Sequence, residues 1–161
     1  ILKFNEKTTG YIEERKSEMN LPVDYIAVHI RRGDKIVSRE MKELGLSLYI
    51  DAVKGKKHIS RNVFIATDDS SVKDELKSIL VAEGFNVYCN TAVTQTGFDE
   101  SLFNTKDKKS RYIDTLNMLL DMDILIHSSF FIGTYTSNVS RIVPLYVGFG
   151  KSLSLDDEWK L

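Results

Sequence analysis

The chain has 161 residues, 42% of them hydrophobic, enough for one domain with a proper core or for a piece of a larger protein. Its 22 basic residues are balanced by 23 acidic ones, a net charge of −1. That balance argues against a general nucleic-acid or membrane-surface binder, since both need a net positive field. No apolar run approaches the roughly 20 residues of a membrane span. Cys89 is the single cysteine, so neither an internal disulfide nor a zinc spacing exists, and a reducing compartment, the cytoplasm, is expected. The chain opens "ILKFNEK", with neither an initiator Met nor a basic-then-apolar leader, and is read as an excised fragment.

Thr9 to Asn20 is charged with sparse apolar positions and predicts a surface helix that Pro22 ends. Asp24 to Ile30 reads as the first strand, Leu46 to Val53 as a short helix, and "KGKKHISR" as a solvated connector. Asn62 to Ala66 is a buried-type strand that stops at "TDDSS". Ser70 or Ser71 can cap the next helix, which runs to Glu83 with Val72, Leu76, Ile79 and Leu80 on one face. Gly84 closes it, and Phe85 to Tyr88 is a third strand. The polar stretch Thr91 to Lys109 has no period and is expected to be a long, mobile loop. Arg111 to Met122 is helical, Phe130 to Gly133 a fourth strand, and Thr136 to about Leu145 a helix starting directly behind it. This alternation implies parallel strands joined by helical crossovers, a Rossmann-like α/β sheet with helices on both faces. Ligands of such sheets bind beyond the carboxyl ends of the strands.

Each unusual polar cluster falls at such an end. The first is "HIRRGDK": in an extended strand His29 and Arg31 share one face, while Ile30 and Arg32 share the other. Two adjacent guanidinium groups suit a diphosphate, which they match bidentately. The bland alternative is a structural ion pair of Arg32 with Asp34 and a solvated Arg31. The second is "FIATDDSS", where one of Asp68 and Asp69 caps the following helix and the other faces the cleft, to meet a ribose hydroxyl or a magnesium ion. The third is "GTYTSNVSRI", whose Thr136, Ser137 and Asn138 sit where a helix start has unpaired donors. They either cap that helix, bind an anion, or divide the two tasks. Asn138-Val139-Ser140 also fits a glycosylation sequon, and a glycan there would block the site. Asp121 and Asp123 interrupt the end of an apolar helix, against the dipole. Surface solvation is the default for Asp123. His58 and His127 belong to no ligand-spaced cluster, and there is no Ser-His-Asp signature and no Walker or GxGxxG loop.

In this order "VHIRRGDK", "ATDD", "TYTSNVSRI" and "LSLDD" resemble the motifs of the fucosyltransferase superfamily, and within it the α1,6-fucosyltransferases, including the bacterial nodulation enzymes. His29, Arg31, Arg32, Asp34 and Lys35 match the first motif in full. The resemblance covers Asp24 to Asp157. It implies inverting transfer of fucose from GDP-fucose to a glycan or other hydroxyl acceptor, without a metal or other cofactor. It also implies that residues 1–161 form the C-terminal, donor-side half of a GT-B-like enzyme whose N-terminal, acceptor-side half lies outside this chain. Carried over by position, Arg31 binds the β-phosphate and stabilises the leaving GDP, with Arg32 beside it. His29 and Asp121 read guanine, Asp69 and Asp68 contact the ribose or order the loop, and Ser137 and Asn138 face the phosphates.

Two departures stand out. The α1,6 group usually has glutamine where Asn138 stands. Its candidate base, a glutamate shortly after the first motif, is replaced by Arg39, with Glu40 next to it as the possible base. The expected partners are therefore GDP-fucose, a glycan acceptor and the other half of the protein, with no nucleic acid and no membrane contact. The compartment becomes the Golgi lumen if the chain belongs to a secretory-pathway enzyme. A non-catalytic guanine-nucleotide-binding module on the same fold is the alternative. A magnesium-dependent phosphatase or receiver built on Asp68 and Asp69 leaves the arginine pair and the late hydroxyls unexplained.

Overall fold

The structure, a computed structural model, describes residues 3–33, 43–92 and 94–157. Helix α1 (Glu6–Met19) begins earlier than its apolar spacing predicts, because the Asn5 side chain accepts the Thr8 N–H at 2.9 Å and caps it. It ends at Asn20, whose φ of 50° is the left-handed conformation that stops a helix. Strand β1 (Ile26–Ile30) follows, then α2 (Leu46–Gly55), β2 (Asn62–Thr67), α3 (Ser70–Ala82) and β3 (Asn86–Cys89). The second half adds α4 (Glu100–Thr105), α5 (Lys108–Ile126), β4 (Phe130–Gly133), α6 (Asn138–Ile142), α7 (Pro144–Val147), a 3₁₀ turn (Phe149–Lys151) and β5 (Ser152–Ser154).

The strands form one sheet in the order β3-β2-β1-β4-β5, every neighbouring pair parallel. Because β1 is central and covered on both sides, all five of its residues are buried, and its sequence is a continuous apolar run broken only by His29. Alternation sends Ile26, Val28 and Ile30 into one core with Tyr49 and Val53 of α2 and Leu76 and Leu80 of α3. It sends Ala27 into the opposite core with Ile12 of α1 and Leu120, Ile124 and Leu125 of α5. Helices therefore cover both faces, as the alternation of elements requires.

The order reverses between β1 and β4: the chain steps outward through β2 and β3, then returns to β4 on the other side of β1. A crevice opens at the carboxyl ends of strands at such a reversal. The short edge strand β5 has no signal in the sequence; its three residues "SLS" are drawn into the sheet by pairing with Phe131 to Gly133.

Within Thr91 to Lys109, expected to be a long, mobile loop, the described residues form three local structures. Asp99 caps α4 by accepting the Leu102 N–H, and Asp107 caps α5 by accepting the Lys109 and Ser110 N–H groups. Residues 95–98 then fold back over the tip of β1: Ser70 donates to the Gln95 carbonyl, Gly97 donates to the Asp68 carbonyl, and Asp69 forms an antiparallel bridge with Thr96. Two glycines meet where this segment crosses the tip. A Cβ on Gly97 would lie 2.6 Å from the Gly33 Cα, and Gly97 has φ 86°, which glycine alone adopts easily. Gly97→Ala is therefore expected to destabilise the protein by about 1–3 kcal/mol, the range for strained backbone conformations. Chemical denaturation compared with Gly10→Ala, which has nothing within 4 Å, checks this.

Candidate functional site

Beside the pairing of β1 with β4, a side-chain hydrogen bond links β1 to the helix that follows β4. His29, the next-to-last residue of β1, lies on the α5 side of the sheet, and its Nδ1 is 2.7 Å from the hydroxyl of Ser140 in α6. Burial lowers the imidazole pKa from its usual value to about 3, and the Arg31 guanidinium adds to the effect, so the ring is neutral at physiological pH.

Arg31 lies just past the strand end. Its guanidinium is 3.4 Å from the Asp68 carboxylate and stacks over the Phe98 ring at 5.0 Å. Asp68 does more than pair with this cation. One of its oxygens accepts the Arg32 N–H at 2.7 Å and the other the Phe98 N–H at 2.9 Å. A single carboxylate thus joins the ends of β1 and β2 to the returning loop, and sets the arginine between an acid and an aromatic face.

The two adjacent aspartates divide their tasks. Asp69 is the cap of α3, its Oδ1 accepting from Ser71 N, Ser71 Oγ and Val72 N, which holds its carboxyl below the usual range despite an opposing desolvation effect. Capping by Asp69, not by Ser70 or Ser71, follows from its extended backbone immediately before the first turn. Arg32 is buried; it donates to the Leu44 carbonyl at 2.8 Å and lies 3.7 Å from Glu43. The second arginine thus anchors the segment leading into α2. Asp34, its partner in the bland alternative, lies outside the described residues, as do Lys35, Arg39 and Glu40.

The turn after β4 is held by a residue that the spacing gave no reason to single out. Asp156 accepts from Tyr135 N at 2.7 Å, Thr136 N at 3.2 Å and Ser154 Oγ at 2.7 Å, and also from Thr136 Oγ1. Those bonds hold its carboxyl below the usual range although burial opposes them. Thr136 is therefore committed to Asp156, and Ser137 N donates to the Thr134 carbonyl. Ser137 stands at the cap position of α6 without a side-chain capping bond and is buried, while Asn138 is exposed.

Asp121 projects from α5 in a small polar cluster beneath the carboxyl end of β3. The buried Asn90 side chain donates to Asp121 Oδ1 at 3.3 Å and to Asn117 Oδ1 at 3.4 Å, and Tyr11 Oη donates to Asn117 at 2.9 Å. Desolvation raises the Asp121 carboxyl to about 7, and the Asn90 bond offsets only part of that. Asp123, by contrast, is a structural acid: it ties α5 to α1 through Lys16 at 3.0 Å. His127 caps the same helix end through the Asp123 carbonyl, and His58 is exposed.

The structure thus links His29 to the start of α6, sets Arg31 between Asp68 and Phe98, and places Asp121 on the helix facing the same side of the sheet as His29. Ser140, Phe98 and Asp156 are the members that residue patterns did not single out. Asp156 lies in the quoted "LSLDD", so the family motif was the available signal for it. Among the described residues no group of three His, Cys, Asp or Glu is arranged to hold a metal ion, and no helix is long and apolar enough to cross a membrane.

Residues 1–145 match the family described as alpha-(1,6)-fucosyltransferase N- and catalytic domains. A comparison with curated protein sequences gives no match. Among solved structures the chain is similar to the NodZ α-1,6-fucosyltransferase co-crystallised with GDP, with TM-score 0.61 and 20% identity over 90% of this chain. It is similar to NodZ soaked with GDP-fucose, with TM-score 0.60 and the same identity and coverage, and NodZ from Bradyrhizobium gives a TM-score of 0.62. POFUT1 in complex with GDP-fucose follows, with TM-score 0.61 and 14% identity over 99% of this chain. The chain spans only 43% of NodZ and 48% of POFUT1. With that family matched over most of its length, the chain belongs to the α-(1,6)-fucosyltransferase family.

Proposed function

We propose that this chain is the donor-binding half of an inverting fucosyltransferase, which moves fucose from GDP-fucose to a hydroxyl of a glycan acceptor. The observation that carries this is the neutral His29 and the clamped Arg31 at the end of β1, beside the strand reversal, in a chain of this family. The GDP and GDP-fucose complexes of NodZ and POFUT1 support it. In the reaction, the bond from fucose C1 to the β-phosphate oxygen breaks and negative charge grows on the departing GDP. Arg31, already oriented by Asp68 and Phe98, stabilises that charge without having to reorganise. An acceptor hydroxyl attacks C1 from the opposite side, which inverts the centre, and its proton passes to a base. Glu40 is the candidate for that base. Ser137 and Asn138 are assigned to the diphosphate and His29 with Asp121 to guanine, while Asp68 and Asp69 order the surrounding loops and Arg32 supports the arginine tip. The acceptor-side half lies outside this chain, and the donor half works without a metal.

Titration calorimetry of this chain with GDP-fucose, GDP, ADP and UDP, with and without EDTA, tests this. Both GDP ligands are expected to bind at least about tenfold more tightly than ADP or UDP, one good hydrogen bond to a charged group being worth that much, and EDTA should make no difference. Equal binding of ADP would remove the guanine roles of His29 and Asp121, and loss of binding in EDTA would overturn the metal-free mechanism. Arg39 in the aligned position of the family's glutamate favours a second reading, a guanine-nucleotide-binding module without transfer. Absence of fucose transfer by the full-length protein, with GDP binding intact, would select it.

A further inference from the structure

We propose that Ser140 is a positioning residue that fixes the tautomer of His29, making its Nε2–H a permanent donor and so selecting guanine over adenine. The inference rests on the assignment of His29 to the base of the nucleotide.

Hydrogen-bond satisfaction decides where the proton sits. Ser140 is fully buried, and among the described residues its hydroxyl oxygen has two hydrogen-bond neighbours: His29 Nδ1 at 2.7 Å and the Thr134 backbone N–H at 3.4 Å. Thr134 N has only a proton to give, so it donates to Ser140 Oγ. If His29 also donated, through Nδ1–H, the Ser140 proton would be left pointing into a site closed to water, where an unmade bond is expensive. The arrangement that satisfies both groups has Ser140 O–H donating to Nδ1. His29 is neutral, so its one ring proton then resides on Nε2.

The surrounding chain is shaped to permit this contact. Gly133, the last residue of β4, has no side chain, and a Cβ there would lie 2.7 Å from Ser140 Oγ and 2.6 Å from the Phe131 ring. The glycine opens the space into which the Ser140 hydroxyl enters to reach β1. Ser140 is thus held from one side by the strand-to-helix turn and reaches the histidine across the strand reversal.

The chemistry that follows is specific. Guanine presents acceptors, O6 and N7, on one edge and N–H donors on the next, whereas adenine carries an amino group where guanine has O6. A fixed N–H on His29 directed at O6 matches guanine and meets the amino group of adenine, whereas N7, an acceptor in both bases, would not separate them. Asp121 on the same side of the sheet supplies an acceptor for the guanine N–H edge. With the other tautomer, His29 would present an acceptor and the preference for guanine would weaken.

Nitrogen-15 NMR of the histidine side chains, recorded on this chain without nucleotide, reads the tautomer directly. The wild type is expected to show His29 with its proton on Nε2 and an acceptor-type Nδ1. Ser140→Ala should give a mixture of tautomers and a roughly tenfold smaller ratio of GDP to ADP affinity, one directed hydrogen bond being at stake. Ser140→Cys, which keeps a weaker donor, should fall between. It also serves if the alanine variant does not fold. A wild-type His29 protonated on Nδ1 would overturn the inference. So would a Ser140→Ala variant with altered tautomer but unchanged GDP-to-ADP ratio. His29→Ala separates the two levels: an unchanged GDP affinity in that variant would mean that His29 does not touch the base, whatever its tautomer.

Discussion

Replacing Arg31 by alanine is expected to lower fucose transfer by the full-length protein about 10²–10³-fold, the usual effect of removing one preorganised group that stabilises developing charge. The fold should survive. Asp68 keeps its two backbone partners, Arg32 N–H at 2.7 Å and Phe98 N–H at 2.9 Å, and Phe98 keeps its ring contact with Phe103 at 5.6 Å. The affinity for GDP should fall toward that for GMP, because the residue assigned to the β-phosphate is gone. Arg31→Lys retains the charge but not the planar fork, and should lie between the two. Initial rates with GDP-fucose, with GDP and GMP titrations of the same variants, check this. Transfer at the wild-type rate in Arg31→Ala would remove Arg31 from the mechanism.

The second large effect is at Asp121, where two consequences of one substitution have opposite signs. Its carboxyl sits at about 7 in the folded chain, against an ordinary value of 3.8, because it is desolvated among α5, Asn90 and Asn117. The folded state therefore holds this proton more tightly than the unfolded chain does. The resulting stabilisation is complete below about pH 4 and is lost as the pH rises through 7. A shift of that size corresponds to about 4 kcal/mol if taken in full, and to about 1–2 kcal/mol once the partial exposure of the side chain is allowed for. Asp121→Asn keeps a bond to Asn90 and carries no charge, so above pH 7 it should be more stable than the wild type, by several degrees in melting temperature. At pH 4 the difference should vanish. The same variant should lose roughly 10- to 100-fold in GDP affinity, since the carboxylate proposed to accept the guanine N–H groups is replaced by a neutral amide. Wild-type GDP affinity should itself rise with pH toward 7, because the carboxyl must give up its proton to accept those bonds. Thermal melts at pH 4 and pH 8 with GDP titrations across the same range check both. A variant less stable than wild type at pH 8 would mean that desolvation does not strain this acid in the folded chain.

The sequence carried the sheet and the tip of β1 because both are written locally. "YIAVHI" and "NVFIAT" are apolar runs whose length and β-branching admit little else, and the basic cluster directly follows one of them. The parts it did not carry depend on contacts between distant residues. Whether Asp68 or Asp69 caps α3 is decided by which one the returning loop claims through the Phe98 and Gly97 amides. The loop itself looked unstructured because its order comes from caps and a glycine-to-glycine approach, neither of which has a period. Arg31 and Arg32 are neighbours of one type, yet their settings diverge, since one faces Phe98 and the other the Leu44 carbonyl. Ser140 reads as an ordinary helix residue until β1 and β4 are placed side by side.

The Asp68 carboxylate that gathers Arg32 and Phe98 also makes the setting of Arg31 depend on residues far along the chain. Strands β1 and β2 can pair as soon as residue 67 is available. The arginine at the tip acquires its acid and its aromatic face together only after Phe98 has arrived and the intervening helix has packed. The setting proposed for nucleotide binding thus draws on residues as far apart as Arg31 and Phe98, and a chain ending short of Phe98 would lack the aromatic face of that arginine.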